Sequence, residues 1–156
     1  MERKDRKRCV IANAFALVWA AFAAYLLSQD AQASSDLSGS LASFLLSLPF
    51  FRDMGASALE TTLRKAAHFS IYAVEGFALA LPDGRRSLAF VPAGAAMACA
   101  GEVVQLFASG RSCETADMAI DFSGFVAGMW LAQAGRHILR KLRTNKTNKE
   151  KRHDKG

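Results

Sequence analysis

Polar and ionisable side chains recur at helical spacing within otherwise apolar stretches of this chain. Lys65, His68, Tyr72 and Glu75 are separated by three, four and three positions, which puts all four on one face of an α-helix. An ionisable residue at the centre of a membrane-spanning helix costs on the order of 2.5–3.5 kcal/mol. We therefore expect this face to meet other helices or a cavity rather than lipid.

Two later stretches carry the same kind of face. Glu102 and Gln105 are one helical turn apart, and Asp117 and Asp121 are four positions apart. Gly124 and Gly128 lie on the same face as Asp117 and Asp121, and glycines at this spacing permit a close approach between helices inside a bundle. The three helices would thus bring their polar side chains to one level in the membrane. Glu75, on the same face as Lys65 and His68, would lie deeper in the membrane than the others.

This set of residue types is suited to three kinds of chemistry. Cations can hold an anionic head group, and a histidine beside carboxylates can act as a general base or as a metal ligand. The spacing matches no dedicated metal site, so neither a metal nor a cofactor is predicted. The catalytic candidates are His68, Glu102 and Asp121. The predicted ligand-binding residues are Lys65, His68, Tyr72, Glu102, Gln105, Arg111, Asp117 and Asp121.

Four apolar stretches predict an all-α membrane protein, a bundle of about four transmembrane helices. The first stretch has 19 residues without a charge, or roughly 28 Å of helix, which matches the hydrocarbon core of a bilayer. The bundle is expected over residues 9–138, between a basic N-terminus, 1–8, and a basic disordered tail, 139–156. The predicted spans are Cys9–Leu27, Ala66–Leu81, Leu88–Phe107 and Met118–Ile138.

The basic residues predict the orientation of the bundle. Sixteen of the 20 Lys and Arg residues lie before the first span, in the second connection, or in the basic flank that begins with Arg136 at the end of the fourth span. Four spans put all three segments on one side, and positive segments stay in the cytoplasm. We therefore expect a multi-pass protein of the inner (plasma) membrane with both termini cytoplasmic, in contact with membrane lipids. The charge flanks apolar spans, so a nucleic-acid partner is not expected.

Other features of the termini and loops leave alternatives open. Ala31-Gln32-Ala33 after the first span resembles a signal-peptide cleavage site, although a retained helix is the favoured interpretation. Residues 37–51 predict a short helix with one apolar face, lying on the outer membrane surface or packed over the bundle. Ser57-Ala-Leu-Glu60 predicts a capping box that begins the second span. The three cysteines predict no disulfide framework, with Cys113 as a free external thiol, and the oligomeric state is not predicted.

Three sequence segments resemble, in order, the motifs of the VanZ-like family of bacterial membrane proteins. They are residues 65–72 (KAAHFSIY), 102–111 (EVVQLFASGR) and 117–128 (DMAIDFSGFVAG), within a matching core of about 64–128. Gly101 stands where the family usually has a second acidic residue, Ser109 replaces a common proline, and Asp121 sits where Asn is frequent. The resemblance implies a cell-envelope protein with a role of the teicoplanin-resistance type, and it supplies no reaction.

Three functional interpretations follow from the cluster of polar residues. An outward-facing pocket that binds an amphiphilic envelope component or a lipoglycopeptide is the favoured one. A membrane-embedded enzyme that uses His68 with Glu102 or Asp121 as an acid–base or metal site is the second. In the third, the cluster only holds the helices together and has no ligand.

Overall fold

Five α-helices make up the computed structural model, which describes residues 3–29, 31–82, 87–107 and 115–153. These ranges contain no β-strand, so the predicted all-α class is confirmed. A 3₁₀ turn at Pro49–Phe51 precedes the third helix, and another at Ser87–Phe90 precedes the fourth. The α-helices are α1 (Arg3–Leu27), α2 (Ala31–Leu46), α3 (Ala56–Ala80), α4 (Val91–Gln105) and α5 (Thr115–His153).

Helices α3 and α5 run parallel and form the centre of the bundle. Their contacts keep a nearly constant offset in sequence, from Lys65 with Asp117 to Arg136 with the Ala80 carbonyl. Glycines allow the two backbones to touch. A Cβ added at Gly124 or Gly128 would overlap a backbone carbonyl of α3. The predicted role of these glycines inside the bundle is therefore confirmed.

Helix α1 lies antiparallel to α3 and is joined to it by a hydrogen bond. The Trp19 indole donates to the Ile71 carbonyl at 2.9 Å. Apart from Trp19, the side of α1 that meets the bundle consists of small residues and Leu27, and Ala16, Ala23 and Leu27 are all buried. Most of the large side chains of α1 point away from the bundle, and Leu17 is 73% exposed.

Helix α4 closes the bundle and brings its own glycines against aromatic side chains. A Cβ at Gly101 would overlap the Tyr72 hydroxyl of α3, and one at Gly94 would overlap the Phe125 ring of α5. Tyr72 also donates a hydrogen bond to the Met97 carbonyl at 3.3 Å. The absence of a second acidic side chain at position 101 thus has a steric reason in this chain, because the tyrosine occupies that space.

The segment between α1 and α3 differs from the sequence-based expectation in two ways. Its helix, α2, begins at Ala31 rather than near residue 37, and it packs on α3 through Ser35 and Ser38. Ser35 donates a hydrogen bond to Glu60 at 2.5 Å. The predicted capping box is wrong, because α3 begins after Gly55 without a side-chain cap and Glu60 bonds to α2 instead.

The apolar face of α2 lies on the outside of the bundle. Leu37, Leu41 and Phe44 are exposed, whereas Ala42 on the inner side is buried. Because Ser35 and Ser38 face α3 while Leu37, Leu41 and Phe44 do not, α2 is not a lid held over the bundle by that apolar face. This arrangement suits a helix whose exposed side contacts lipid.

The last helix is longer than predicted. Helix α5 continues to His153, into the basic segment expected to be disordered from residue 139 onward. Its C-terminal half is rich in Arg and Lys, which have high helix propensity. The helix therefore propagates from the packed part of the bundle, and residues 141–145 are exposed.

Judged by length and amino-acid composition alone, one helix among the described residues is long and apolar enough to cross a membrane, namely Cys9–Leu27 of α1. Only the described residues enter this comparison, and the other three predicted spans are not confirmed by it. Helix α4 has 15 residues, while α3 and α5 carry the ionisable side chains that reduce their apolar character.

Several polar side chains are buried among the apolar residues of the core, while many large apolar side chains are exposed. Glu102 and Asp121 are 0% exposed. Large apolar side chains cover much of the surface, and Trp130 and Leu131 of α5 are exposed. Charged residues are almost never fully buried in soluble domains, so this surface fits an apolar surrounding.

Candidate functional site

The centre of the site is a contact between α3 and α5. Asp121 Oδ1 lies 3.1 Å from His68 Nδ1, and both side chains are buried. Because α3 and α5 pack closely through Gly124 and Gly128 directly below, both side chains are held in place by the helix backbones. The second carboxylate oxygen of Asp121 is buried and has no hydrogen-bond partner.

Helix α4 adds a second carboxylate on the other side of Tyr72. Gln105 donates a hydrogen bond to Glu102 at 2.9 Å, along one turn of α4, and both residues are buried. Asp121 and Glu102 both lie close enough to the Tyr72 hydroxyl to act on it electrostatically. Tyr72 is thus the element that links the acidic groups of α4 and α5.

A more accessible pair lies one turn above the buried centre. Lys65 Nζ is 4.0 Å from Asp117 Oδ1, and their side chains are 40% and 19% exposed. This separation is that of a loose ion pair, which solvent screens easily. Lys65 and Asp117 therefore form a rim above a floor made by His68 and Asp121.

The structure brings together seven of the eight predicted binding residues. We call them the polar cluster: Lys65, His68, Tyr72, Glu102, Gln105, Asp117 and Asp121. The eighth, Arg111, lies outside the described residues, as does Cys113. In the ranges that the structure describes, no group of three His, Cys, Asp or Glu side chains is arranged to hold a metal ion.

Glu75 lies beside the polar cluster, in a pocket that Tyr72 also lines. It is buried and lines a small cavity of about 170 Å³ between α1, α3 and α4, with mainly apolar neighbours such as Ala20, Leu27 and Val104. Its Oε2 atom has no hydrogen-bond partner. Its depth below the polar cluster agrees with the order predicted from the spacing along α3.

Replacing Glu75 with leucine should leave the unfolding temperature unchanged or raise it. The substitution replaces a buried polar atom without a partner by an apolar side chain of similar size in mainly apolar surroundings, and such replacements are nearly neutral or stabilising. Thermal unfolding of the purified protein in detergent measures this. The control is Glu102→Leu, which breaks the bond to Gln105 and should lower the unfolding temperature. A similar loss in both variants would contradict the assignment of Glu75.

Sequence reasoning missed an anchoring contact at the opposite end of the bundle. Arg136, which was assigned only to the basic flank, donates a hydrogen bond to the carbonyl of Ala80 at the end of α3. Carbonyls at a helix C-terminus lack partners within the helix, and cations there are favourable. No spacing rule connects residues so far apart in sequence, so only the parallel packing of α3 and α5 reveals this contact.

Comparison with known proteins gives one match. The family model described as VanZ/LLP1 matches residues 13–139, which cover all five helices in part or in full. No curated protein and no solved structure matches the chain significantly. The resemblance seen in the three motifs is thus confirmed over a larger part of the chain.

Proposed function

The chain belongs to the VanZ/LLP1 family, and from that premise we propose that it binds an amphiphilic component of the outer cell envelope at the polar cluster. The family is a membrane family, and one helix of this chain is apolar enough to span. In the proposed arrangement α1, α3, α4 and α5 cross the inner membrane with both termini in the cytoplasm. The start of α3, the end of α4 and the start of α5 then face outward.

The distribution of side chains supports this arrangement. An ionisable group in a membrane is tolerated when it faces other helices, and in α3, α4 and α5 the buried carboxylates do so. Helix α4 and the 3₁₀ turn before it together cover 19 residues, about 30 Å at their respective rises per residue. The polar cluster is thus shielded from lipid along its sides, and its rim is at the end proposed to face outward.

The observation that carries the binding proposal is the orphaned oxygen of Asp121. Asp121 Oδ2 is fully buried and accepts no hydrogen bond, because the nearby Tyr72 hydroxyl donates to the Met97 carbonyl instead. An unpaired buried polar group of this kind costs about 1–3 kcal/mol. The contact between Asp121 Oδ1 and His68 is sufficient to hold the two helices together, so helix packing does not require the second oxygen. A hydroxyl or amino donor from a ligand would satisfy the second oxygen.

The rim supplies the complementary charge. Lys65 is only loosely paired with Asp117, so its ammonium can engage an anionic group at little cost. A ligand with an anionic head group, adjacent hydroxyl or amino donors and an acyl chain fits this combination. Lipid-linked cell-wall precursors and lipoglycopeptides have these features, and the exposed apolar face of α2 would lie beside the acyl chain.

Replacing Lys65 with glutamine should weaken ligand binding about five- to tenfold, because one cation near an anionic head group contributes about 1 kcal/mol or slightly more. The measurement is the dissociation constant of purified protein in lipid nanodiscs for teicoplanin and for lipid II. Arg64→Gln is the matched control, since Arg64 is adjacent and exposed and takes part in no ion pair among the described residues.

The two variants together decide the proposal. Equal affinities of the wild type and Lys65→Gln for the ligand would overturn it. Equal losses of affinity in Lys65→Gln and Arg64→Gln would also overturn it, because the effect would then come from the overall surface charge rather than from Lys65. If neither probe binds the wild-type protein, the polar cluster is left with a structural role, that of holding α3, α4 and α5 together.

The contact between His68 and Asp121 favours catalysis as a second candidate function. A carboxylate at Nδ1 fixes the imidazole orientation and makes Nε2 the nitrogen available for proton transfer. Mass spectrometry of lipid II or teicoplanin after incubation with the protein tests this directly. A product that the wild type forms and a folded His68→Gln variant does not would establish an enzyme, whereas unchanged masses would exclude a reaction with these two compounds.

A further inference from the structure

A second groove lies at the opposite end of the bundle from the polar cluster. Its volume is about 1000 Å³, and it is bounded by the first turns of α1, the last turns of α3 and the middle of α5. Residues Cys9 to Phe15 form one wall, and Phe77 and Leu81 form part of the floor. Phe15, Phe77 and Leu81 are all exposed, so the groove presents apolar side chains at the surface.

The opposite wall carries three arginines on one face of α5. Arg136, Arg140 and Arg143 are separated by four and three positions, and all three line the groove together with Leu139. Arg136 is held against α3 by its bond to the Ala80 carbonyl, which fixes this face of α5 relative to the groove. None of the residues that line the groove in the described part of the chain is acidic.

We propose that this groove binds an anionic phospholipid of the inner leaflet, with its phosphate at Arg140 and Arg143 and an acyl chain along Phe15 and Phe77. The proposal rests on the membrane arrangement given above, but not on the function of the polar cluster. Guanidinium groups pair with phosphate through two parallel hydrogen bonds. Basic pockets between helices on the cytoplasmic side are a known mode of binding for anionic head groups.

Charge complementarity selects this occupant. A zwitterionic lipid would offer the same acyl chains but would place a choline group close to the arginines. A protein segment would need an acidic stretch beside an apolar one to fit this groove. It would also have to compete with the lipid phosphates at the membrane surface, which the arginines face in the proposed arrangement. The anionic phospholipid satisfies the apolar floor and the cationic wall at the same time.

The test uses the full chain, delipidated in detergent, with dioleoylphosphatidylglycerol and dioleoylphosphatidylcholine as probes. Native mass spectrometry gives the affinity of each lipid. We expect the wild type to prefer phosphatidylglycerol, Arg140→Gln to bind it about fivefold more weakly, and Arg140→Gln with Arg143→Gln about 25-fold more weakly, from about 1 kcal/mol per cation. Lys141→Gln is the matched control because Lys141 is exposed but does not line the groove.

Cys9 provides a second readout that does not depend on the variants. It lines the groove, whereas Cys99 is exposed on α4 and lies elsewhere. Phosphatidylglycerol should slow alkylation of Cys9 and leave Cys99 unaffected, and phosphatidylcholine should protect neither.

Three results would overturn the proposal: equal affinity for the two lipids, an equal loss in Lys141→Gln, or protection of Cys9 that rises with protein concentration without lipid. The last would identify a second copy of the chain as the occupant. None of these three results bears on ligand binding at the polar cluster. Conversely, unchanged ligand binding in Lys65→Gln says nothing about lipid binding in this groove, so either proposal can be wrong while the other is right.

Discussion

Replacing Gly128 with alanine is expected to destabilise the protein severely, by about 3 kcal/mol or more. The added methyl group would overlap the carbonyl of Ala73 on α3, and backbone atoms cannot move aside as a flexible side chain can. Overpacking in a core costs about 1–3 kcal/mol even when side chains can adjust. Helices α3 and α5 would therefore have to separate, which also weakens the contact between His68 and Asp121.

The control for this prediction lies on the same helix. A Cβ at Gly135 meets nothing within 4 Å, and alanine is favoured over glycine within a helix by about 0.5–1 kcal/mol. Gly135→Ala should therefore unfold at the same or a slightly higher temperature than the wild type, while Gly128→Ala unfolds at a much lower one. Similar unfolding temperatures for the two variants in detergent would contradict the close packing of α3 and α5.

Replacing Asp121 with leucine is the second substitution with a large expected effect. It leaves the buried His68 ring without its partner, and breaking a buried pair of this kind costs about 3–5 kcal/mol. The unfolding temperature should fall by about 6–20 °C, given about 2–4 °C per kcal/mol for a chain of this size. Leucine has the same number of side-chain heavy atoms as aspartate and the same branching, so the effect reports the lost bond rather than a cavity.

Asp121→Asn separates the hydrogen bond from the charge. The amide oxygen can still accept from His68, and the amide nitrogen can donate toward Tyr72 or Glu102, which lie nearby. Asp121→Asn should therefore keep most of the stability that Asp121→Leu loses, and asparagine is frequent at this place in VanZ-like motifs. Equal losses in both variants would show that the negative charge, rather than the bond, holds α3 to α5.

The spacing of polar residues along the chain predicts the contents of the site well. The face of α3 that carries Lys65 and His68 meets the face of α5 that carries Asp117 and Asp121, because helical periodicity assigns side chains to faces without knowledge of the tertiary structure.

Contacts between distant segments could not be predicted in the same way. Trp19 bonds to a carbonyl of α3 and Glu60 bonds to Ser35 of α2, and neither is marked by a local pattern. The Ser57–Glu60 pattern even indicated a capping box that does not form. Local hydrogen bonds and tertiary hydrogen bonds compete for the same side chains, and sequence spacing reports only the local ones.

The length of the last helix was underestimated for a related reason. Charge and the lack of aliphatic residues after Thr144 indicated disorder, as such composition does in isolated segments. The packed part of α5 provides a nucleus, however, and extending an existing helix is far easier than starting one. The described helix accordingly runs on to His153.

The central claim is that the polar cluster lies at the outward-facing end of a bundle with cytoplasmic termini. Labelling of single cysteines in intact cells by a membrane-impermeant thiol reagent tests it most directly. Cys9, Cys99 and Cys113 are first replaced by serine, and cysteine is then introduced at Ser57, before the site on α3, or at Thr144, on the basic half of α5; both positions are exposed. The proposed topology predicts labelling of Ser57→Cys in intact cells and labelling of Thr144→Cys only after the membrane is permeabilised. The reverse pattern, or labelling of both positions in intact cells, would contradict it.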